Sequence, residues 1–522
     1  MAMKPAGKFV LALLILGVII GGLMFARSKR DLIAPKGHIA GSGDVPKGSF
    51  DSGKVKKSDK VRIIVVTWGG YAGGQLYNKG FNYNKTSRFF TELGIQVEFK
   101  IMDNFEPSRN AFREEGDLMW ATVDAFPTEA EALFKQMNGV TILYQADWSY
   151  GGDNFIVGPG IESAADLIGK KVAFAEMTPS HTMLLFVLDA SDLQMTDIEP
   201  VIVSDAIEAA KYYKEGKVDA AVVWSPDDDD CINARPGSKS LMNTREAPNI
   251  IADIFIAKTA WVQTNPEVAK KIMKGFFVGA AEIHSSKEAK EEAARILDDG
   301  FGKDFDYNFA LNAIDKARQC TYQDNVNFFG LNTSYTGMTG KRLYERMTKV
   351  YRSINYVRGD VPTWEQLTEY SIPLIKSLQS ELGNDANQAP QEKTVYSKPT
   401  NQEYTKKAVT TKAVRVTFAT GSAALDENAK TIVDLKFGDI LLASANRIRI
   451  EGNTDNTGSR QTNITLSQAR GNSCRQYLIE KYGIDGNRII VIGNGPDNPV
   501  ADNDTPVGKA KNRRVDFMLL GD

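Results

Sequence analysis

The sequence predicts an α/β protein of several domains: a transmembrane helix at the N-terminus, a large middle unit of alternating strands and helices, and a small C-terminal α/β sandwich. Three observations carry this. An uncharged apolar run fills residues 9–26, two polar stretches at 31–59 and 383–412 divide the rest of the chain, and the parts they bound alternate short β-branched runs with stretches of helical spacing. At 522 residues the chain exceeds one ordinary core, since domains usually hold about 100 to 200 residues.

Composition narrows the function. Apolar residues make up 42% and charged residues 25%, the balance of a globular protein. Lys plus Arg (63) nearly cancels Asp plus Glu (65), so the basic excess of a nucleic-acid binder is missing and no nucleic-acid partner is expected. Cys231, Cys320 and Cys474 lie far apart, too sparse for a disulfide framework or a CxxC metal site; a single bridge, with one thiol left over, stays open, and Cys231 with Cys320 is one such pairing. His38, His181 and His284 are too scattered for a zinc triad. Neither a metal nor a cofactor is expected.

Phe9 to Ala26 reads FVLALLILGVIIGGLMFA, 18 residues without charge or proline. As a helix at about 1.5 Å per residue it covers roughly 27 Å, enough to span a bilayer. Lys4 and Lys8 precede it and Arg27, Lys29 and Arg30 come after it, so basic residues do not set its orientation cleanly. No cysteine is placed after it for lipid attachment and no small-x-small site ends it. An uncleaved signal anchor in the inner membrane, with the bulk of the chain in the periplasm, is preferred to a cleaved signal peptide. Residues 31–59 are rich in Gly, Ser, Pro and Lys and read as a tether.

In the middle unit, 60–382, VRIIVV (61–66) and QVEFKI (96–101) read as strands emptying into loops. Residues 206–215 have helical spacing with Gly216 as a stop, and VDAAVVW (218–224) reads as a buried strand. Such alternation implies a mostly parallel sheet, which binds ligands beyond the carboxyl ends of its strands. The second polar stretch, 383–412, holds Pro390 and Pro399 and no periodicity.

The runs SAADLIGKKVAFAE (163–176), SHTMLLFVLDASDLQMTDI (180–198), EGKVDAAVVWSP (215–226) and NIIADIFIAKTAWVQTNPEVAKKIM (249–273) together resemble the periplasmic solute-binding proteins of ABC transporters, in the phosphate, sulfonate and thiamine-precursor branch. The resemblance covers about 60–345. It implies two lobes, about 60–155 plus 250–382 and 156–249, with a small ligand, an anion among the candidates, clamped between them by hinge closure. It also implies a membrane permease or signalling partner.

Candidate ligand-binding residues are chosen by position. Trp68, Tyr71, Trp148 and Trp224 sit at predicted strand ends or loops, where flat faces grip apolar, planar or cationic groups, although each could equally plug a lobe surface. Ser180 and Thr182 open a helix after Pro179 and could hold an oxyanion, although capping explains the same residues. Asp227 heads four successive aspartates that could hold a cation, although the spacing of a calcium loop is missing and a solvated acidic loop accounts for them. Asp124 and Asp153 are weaker candidates. No GxSxG, phosphate-binding loop or HExxH motif is present, so an enzyme is not expected.

The terminal unit, 413–522, reads strand (VRVTF, 414–418), helix (about 426–444), strand (447–452), helix (about 460–481), strand (488–493) and a last strand after Arg514. TFATGSAAL (417–425), EGNTDNTGSRQTNITLSQAR (451–470) and NDTPVGKAKNRRVDFML (503–519) closely resemble the OmpA-like peptidoglycan-binding domain. The resemblance implies that Asp455, in the TD turn, and Arg470, on the next helix, hold the charged ends of the diaminopimelate residue of the wall's stem peptide. Asn463 and Arg470 are seven residues apart on one helical face with Ser467 between them, and Thr454 and Arg514 are second contacts. A carboxylate accepts an ammonium and a guanidinium grips a carboxylate, so the pair suits a zwitterion; a fold-stabilising bridge is the plainer alternative. Ala419 departs from the acidic or polar residue many relatives carry there.

The expected function is membrane-anchored capture of a small solute in the cell envelope, with the terminal domain tethered to peptidoglycan. The alternative is a structural anchor resembling flagellar stator proteins, with the lobed unit serving protein contacts; against it, the span lacks a proton-carrying aspartate.

Overall fold

The structure, a computed structural model, describes residues 59–303, 305–383, 395–416, 418–419 and 421–521. The expected membrane helix at 9–26, and all but the last residue of the expected tether, lie outside these. Among the described residues no helix is long and apolar enough to cross a membrane.

Strands β1 (Lys60–Val65), β2 (Gln96–Ile101), β3 (Leu118–Thr122) and β4 (Val140–Ser149) open the first sheet. Four residues of β1 and all of β3 and β4 are buried, so they read as apolar runs and not as alternations, as strands covered on both faces do. The chain then crosses to a second sheet of β5 (Asp153–Val157), β6 (Lys171–Ala175), β7 (Glu199–Val203), β8 (Ala220–Trp224) and β9 (Lys239–Asn243). It returns through β10 (Ala252–Lys258) and β11 (Ala317–Gln319). The sheets run β11-β4-β10-β3-β1-β2 and β7-β6-β8-β5-β9. β1 is parallel to β2 and β3, while β10 runs antiparallel between β3 and β4. Two lobes result, joined by short crossings at 150–152 and 244–251.

Close helix packing fixes the first lobe. A Cβ on Gly279, in the helix Pro266–Ser285, would lie 2.0 Å from the carbonyl oxygen of Gly73 in the helix Ala72–Asn78. Only two glycines let these backbones meet. Gly279→Val is expected to cost about 1 to 3 kcal/mol through overpacking, read as a lowered melting temperature of the lobed unit.

The return helices straddle both lobes. In Gly340–Ser353 and the turn after it, Arg346 pairs with Asp189 at 2.8 Å, Tyr351 OH lies 3.1 Å from Thr182 Oγ1, and Tyr356 donates to Glu176 at 2.7 Å.

The terminal domain is a four-stranded sheet, β12 (Ala408–Val414), β13 (Arg447–Asn453), β14 (Ile489–Gly495) and β15 (Val515–Leu520), ordered β12-β15-β13-β14. β13 is parallel to β14 and antiparallel to β15, which also pairs with β12. The expected opening strand at 414–418 is displaced: β12 begins inside the stretch read as linker, because Thr410, Lys412 and Val414 turn alternately inward against β15 after an irregularity at Val409. The expected helix at 426–444 is interrupted by a π-turn at Asp434–Gly438.

This domain sits against both lobes. Lys412 Nζ pairs with Asp189 at 2.8 Å and Asp192 at 3.1 Å in the second lobe, and Ala413 N donates to Asp192. Arg342, on a return helix, pairs with Asp439 at 2.5 Å. At the crossing, Asn446 Nδ2 donates to Glu246 at 3.1 Å and Asn249 Nδ2 to the carbonyl of Leu442. Ala443 shares a small void with Phe186, Ile250, Leu343 and Met347.

Candidate binding sites

Two constellations stand out, one in the terminal domain and one between the lobes.

In the terminal domain, β13 ends in the loop that carries Asp455, and the helix Arg460–Tyr482 returns over it, capped by Ser459, whose side chain accepts from Thr462 N. Gly452 permits the approach, since a Cβ there would lie 2.1 Å from the carbonyl of Ser467. Asn463, Ser467 and Arg470 share the buried face of this helix. Asn463 Nδ2 donates to the carbonyl of Thr457 at 3.0 Å, which closes the loop, and Thr454 Oγ1 donates to the carbonyl of Asp455 at 2.9 Å. Arg470 donates to the carbonyl of Ser422 at 3.1 Å and lies over the Phe418 ring at 4.8 Å.

Asp455 takes its direct ion pair from Arg513, at 2.6 Å, and not from Arg470. Burial works to raise the Asp455 carboxyl, but the hydrogen bonds from Arg513 and Thr457 N outweigh it and hold the group below the usual carboxylate range. Burial, then the charge of Arg513, lowers Arg470, while Asp455 supports it. Arg514, expected as a second contact, is instead buried against Asp516, with Nε–Oδ1 at 3.0 Å and Nη2–Oδ2 at 2.9 Å. Adjacent residues leading into a strand face opposite ways, so only one of Arg513 and Arg514 reaches the Asp455 loop. The sequence displays both and does not show the phase. The arrangement presents one carboxylate and two guanidiniums at the mouth of a loop.

Between the lobes, the aromatics separate. Trp68 Nε1 lies 3.3 Å from both carboxylate oxygens of Asp147, and its ring passes Gly152, where a Cβ would fall 2.3 Å away. Tyr71, fully buried, donates to Asp253 Oδ2 at 2.5 Å. Trp224 faces Phe105 with ring centres 6.4 Å apart and pairs across the sheet with Asp153. Trp148 does not join them: it points to the opposite face of β4 from Asp147 and packs on Phe328 at 5.8 Å. Asp227 pairs with Lys214 at 3.3 Å, in the first turn of a helix, Asp227–Ala234, where a solvated loop was expected. Its neighbour Asp228 is the buried one, held by Lys316 at 3.3 Å; Lys316, which also donates to Ser225, links the lobes across the cleft.

Ser180 and Thr182 lie one turn into the helix Pro179–Asp189, whose cap is Thr178. Ser180 Oγ is buried without a partner and Thr182 reaches Tyr351. His181 between them is pushed down to about 3 by burial, so it stays neutral.

The residues that sequence reasoning misses or underrates are carboxylates. Asp124 and Asp153 rank as weaker candidates there, and Asp147 and Asp253 are not singled out. All four are buried at 6% exposure or less. Asp147 and Asp253 face each other across β4 and β10. Burial first pushes Asp124 and Asp153 up to about 7. It raises Asp147 and Asp253 too, and their neighbours' charges add to this. Aspartates inside apolar strands are the available signal, since a buried carboxylate is costly without a partner.

Cys231, Cys320 and Cys474 are all free and buried, so no bridge joins Cys231 to Cys320. Among the described residues no group of three or more His, Cys, Asp or Glu is arranged to hold a metal ion.

Fold and sites define a two-lobed α/β module joined to a small α/β sandwich domain. Residues 417–513 match the model of the OmpA family, and residues 154–289 match the family described as NMT1/THI5 like. The chain therefore carries an NMT1/THI5-like segment followed by a C-terminal OmpA-like segment. Outer membrane protein Omp38 of Acinetobacter baumannii is 48% identical over 73 residues, 14% of this chain and 20% of that protein. The peptidoglycan-binding protein ArfA of Mycobacterium tuberculosis is 47% identical over 73 residues, 14% of this chain and 22% of that one. The chain thus spans about a fifth of the length of these curated relatives. Among solved structures, the periplasmic aliphatic sulphonate binding protein SsuA from Escherichia coli aligns with a TM-score of 0.46 and 16% identity, covering 66% of this chain and 98% of that one.

Proposed function

We propose that this chain is a non-enzymatic envelope protein, anchored in the inner membrane by residues 9–26 with its bulk in the periplasm. Its lobed module captures a small molecule, and its last domain holds the peptidoglycan stem peptide through diaminopimelate. The observation that carries the reading is the site around Asp455. A carboxylate with an adjacent guanidinium, and a second guanidinium on the facing helix, offers complementary charge to a zwitterion carrying an ammonium and a carboxylate. The similarity of residues 417–513 to the OmpA family supports the wall as the source of that zwitterion.

Sedimentation of the full chain with purified sacculi tests the wall-binding half. Retention in the pellet, competed by free diaminopimelate, is expected; a chain left in the supernatant would overturn it. Native mass spectrometry of the full chain released from detergent tests the other half. A stoichiometric small-molecule passenger supports capture by the module, whereas a module that stays empty against amine, anion and metal probes returns the lobes to a scaffold for protein contacts.

A further inference from the structure

The cleft gathers more carboxyl groups than its own bases pair with. Asp124, in the turn after β3, and Asp147, Asp153 and Asp253, on β4, β5 and β10, lie near enough to act on one another's carboxyl groups, at the place where the chain crosses between lobes. None of the four has an ion-pair partner among the described residues. The nearby bases are engaged elsewhere: Lys316 with Asp228, and Arg318 with Asp324 at 2.9 Å. Each carboxylate accepts from a donor: Asp147 from Trp68, Asp253 from Tyr71, Asp153 Oδ2 from Ser149 Oγ at 2.7 Å and Asp124 Oδ1 from Ala252 N at 3.3 Å.

A second, independent observation points to a ligand. Asp124 Oδ2 and Asp153 Oδ1, in side chains 0% and 5% exposed, have no hydrogen-bond partner. Thr182 lies near Asp124 and Trp224 near Asp153, where each favours the charged form against burial. Buried oxygens left unmade cost free energy, so such a site favours whatever supplies donors and positive charge. Trp68 lines the same space, and an aromatic face adds attraction for a cation.

We propose that the cleft between the lobes takes an organic cation, a small amine, whose ammonium groups are received by Asp124, Asp153, Asp147 and Asp253 beside the rings of Trp68 and Trp224. This rests on the module being a solute-binding domain and names its ligand class. An anion, one of the classes the sequence left open, would meet four carboxyl groups, with Lys316 and Arg318 already paired.

The test is calorimetric titration of the full chain in detergent with 1,4-diaminobutane and tetramethylammonium, against methanesulfonate, phosphate and zinc. Saturable binding of an amine probe is expected. It should weaken at least tenfold in Asp153→Asn and in Asp124→Asn, two isosteric changes whose melting curves report folding independently. Equal amine affinity in both folded variants would overturn the proposal. Saturable binding of methanesulfonate or phosphate, or of zinc alone, would overturn it while leaving the solute-binding reading standing. Absence of binding by every probe would overturn both.

Discussion

Replacing Arg470 by alanine is expected to lower retention on purified sacculi about thirtyfold or more. Truncating one partner of a buried, hydrogen-bonded charge pair typically costs about 2 to 5 kcal/mol, and 1.4 kcal/mol is a factor of ten. Arg470→Lys keeps the charge and loses the planar fork, so it should recover only part of the affinity. The structure adds a sharper contrast between neighbours. Arg513→Ala should weaken sacculus binding with little loss of stability, because this half-exposed side chain serves Asp455 at the loop mouth. Arg514→Ala should lower the melting temperature, because it leaves Asp516 buried without its guanidinium. Loss of binding in Arg514→Ala with an unchanged melting curve, and none in Arg513→Ala, would reverse the assignment. The Asp455 carboxyl is held below its unfolded value, so its charge is kept at pH values above about 4 and lost as pH falls through the lower folded value. Sacculus binding should therefore hold through neutral and mildly acidic pH and fall only in stronger acid.

Asp189→Ala is expected to detach the terminal domain from the lobes. Asp189 pairs with Arg346 and Lys412, whose side chains are 9% and 7% exposed, so removing it leaves Arg346 without its carboxylate and Lys412 with Asp192 alone. A fully buried pair broken this way would cost about 3 to 5 kcal/mol. Asp189 itself is 41% exposed, and solvent screening reduces that to about 1 to 3 kcal/mol. The measurement is small-angle scattering with a thermal scan: a larger radius of gyration and two separate melting transitions in place of one. Lys412→Met, which fills the same space without charge, should stay docked. If Asp189→Ala keeps the parent scattering curve, the contact is not what holds the domain in place. Burial works to raise Asp189, but Arg346 and Lys412 prevail and lower it. Its contribution is thus complete above about pH 4 and is lost as pH falls through the folded value, so docking should loosen in acid.

Much of the fold was legible because it is local. β2 and the helix Arg460–Tyr482 are read from a run of period 2 and a long helical stretch, signals complete within a few turns, and the structure ends that helix at Gly483 in the left-handed region. The face of Asn463, Ser467 and Arg470 needed only spacing along one helix, and the TD loop was marked by the resemblance of its motif. What the sequence could not display is phase against a distant partner. Whether Asp147 or Trp148 faces the cleft depends on how β4 lies against β10, more than 100 residues on, and the choice between Arg513 and Arg514 depends on the register of β15 on β13. The same holds for the docked terminal domain, since Lys412 finds Asp189 across 223 residues and no linker composition encodes that meeting. By itself the sequence determined the elements, their order and the chemistry available in each. The tertiary structure alone decided which carboxylates share a buried cleft, because burial and charge pairing come only from chains brought together.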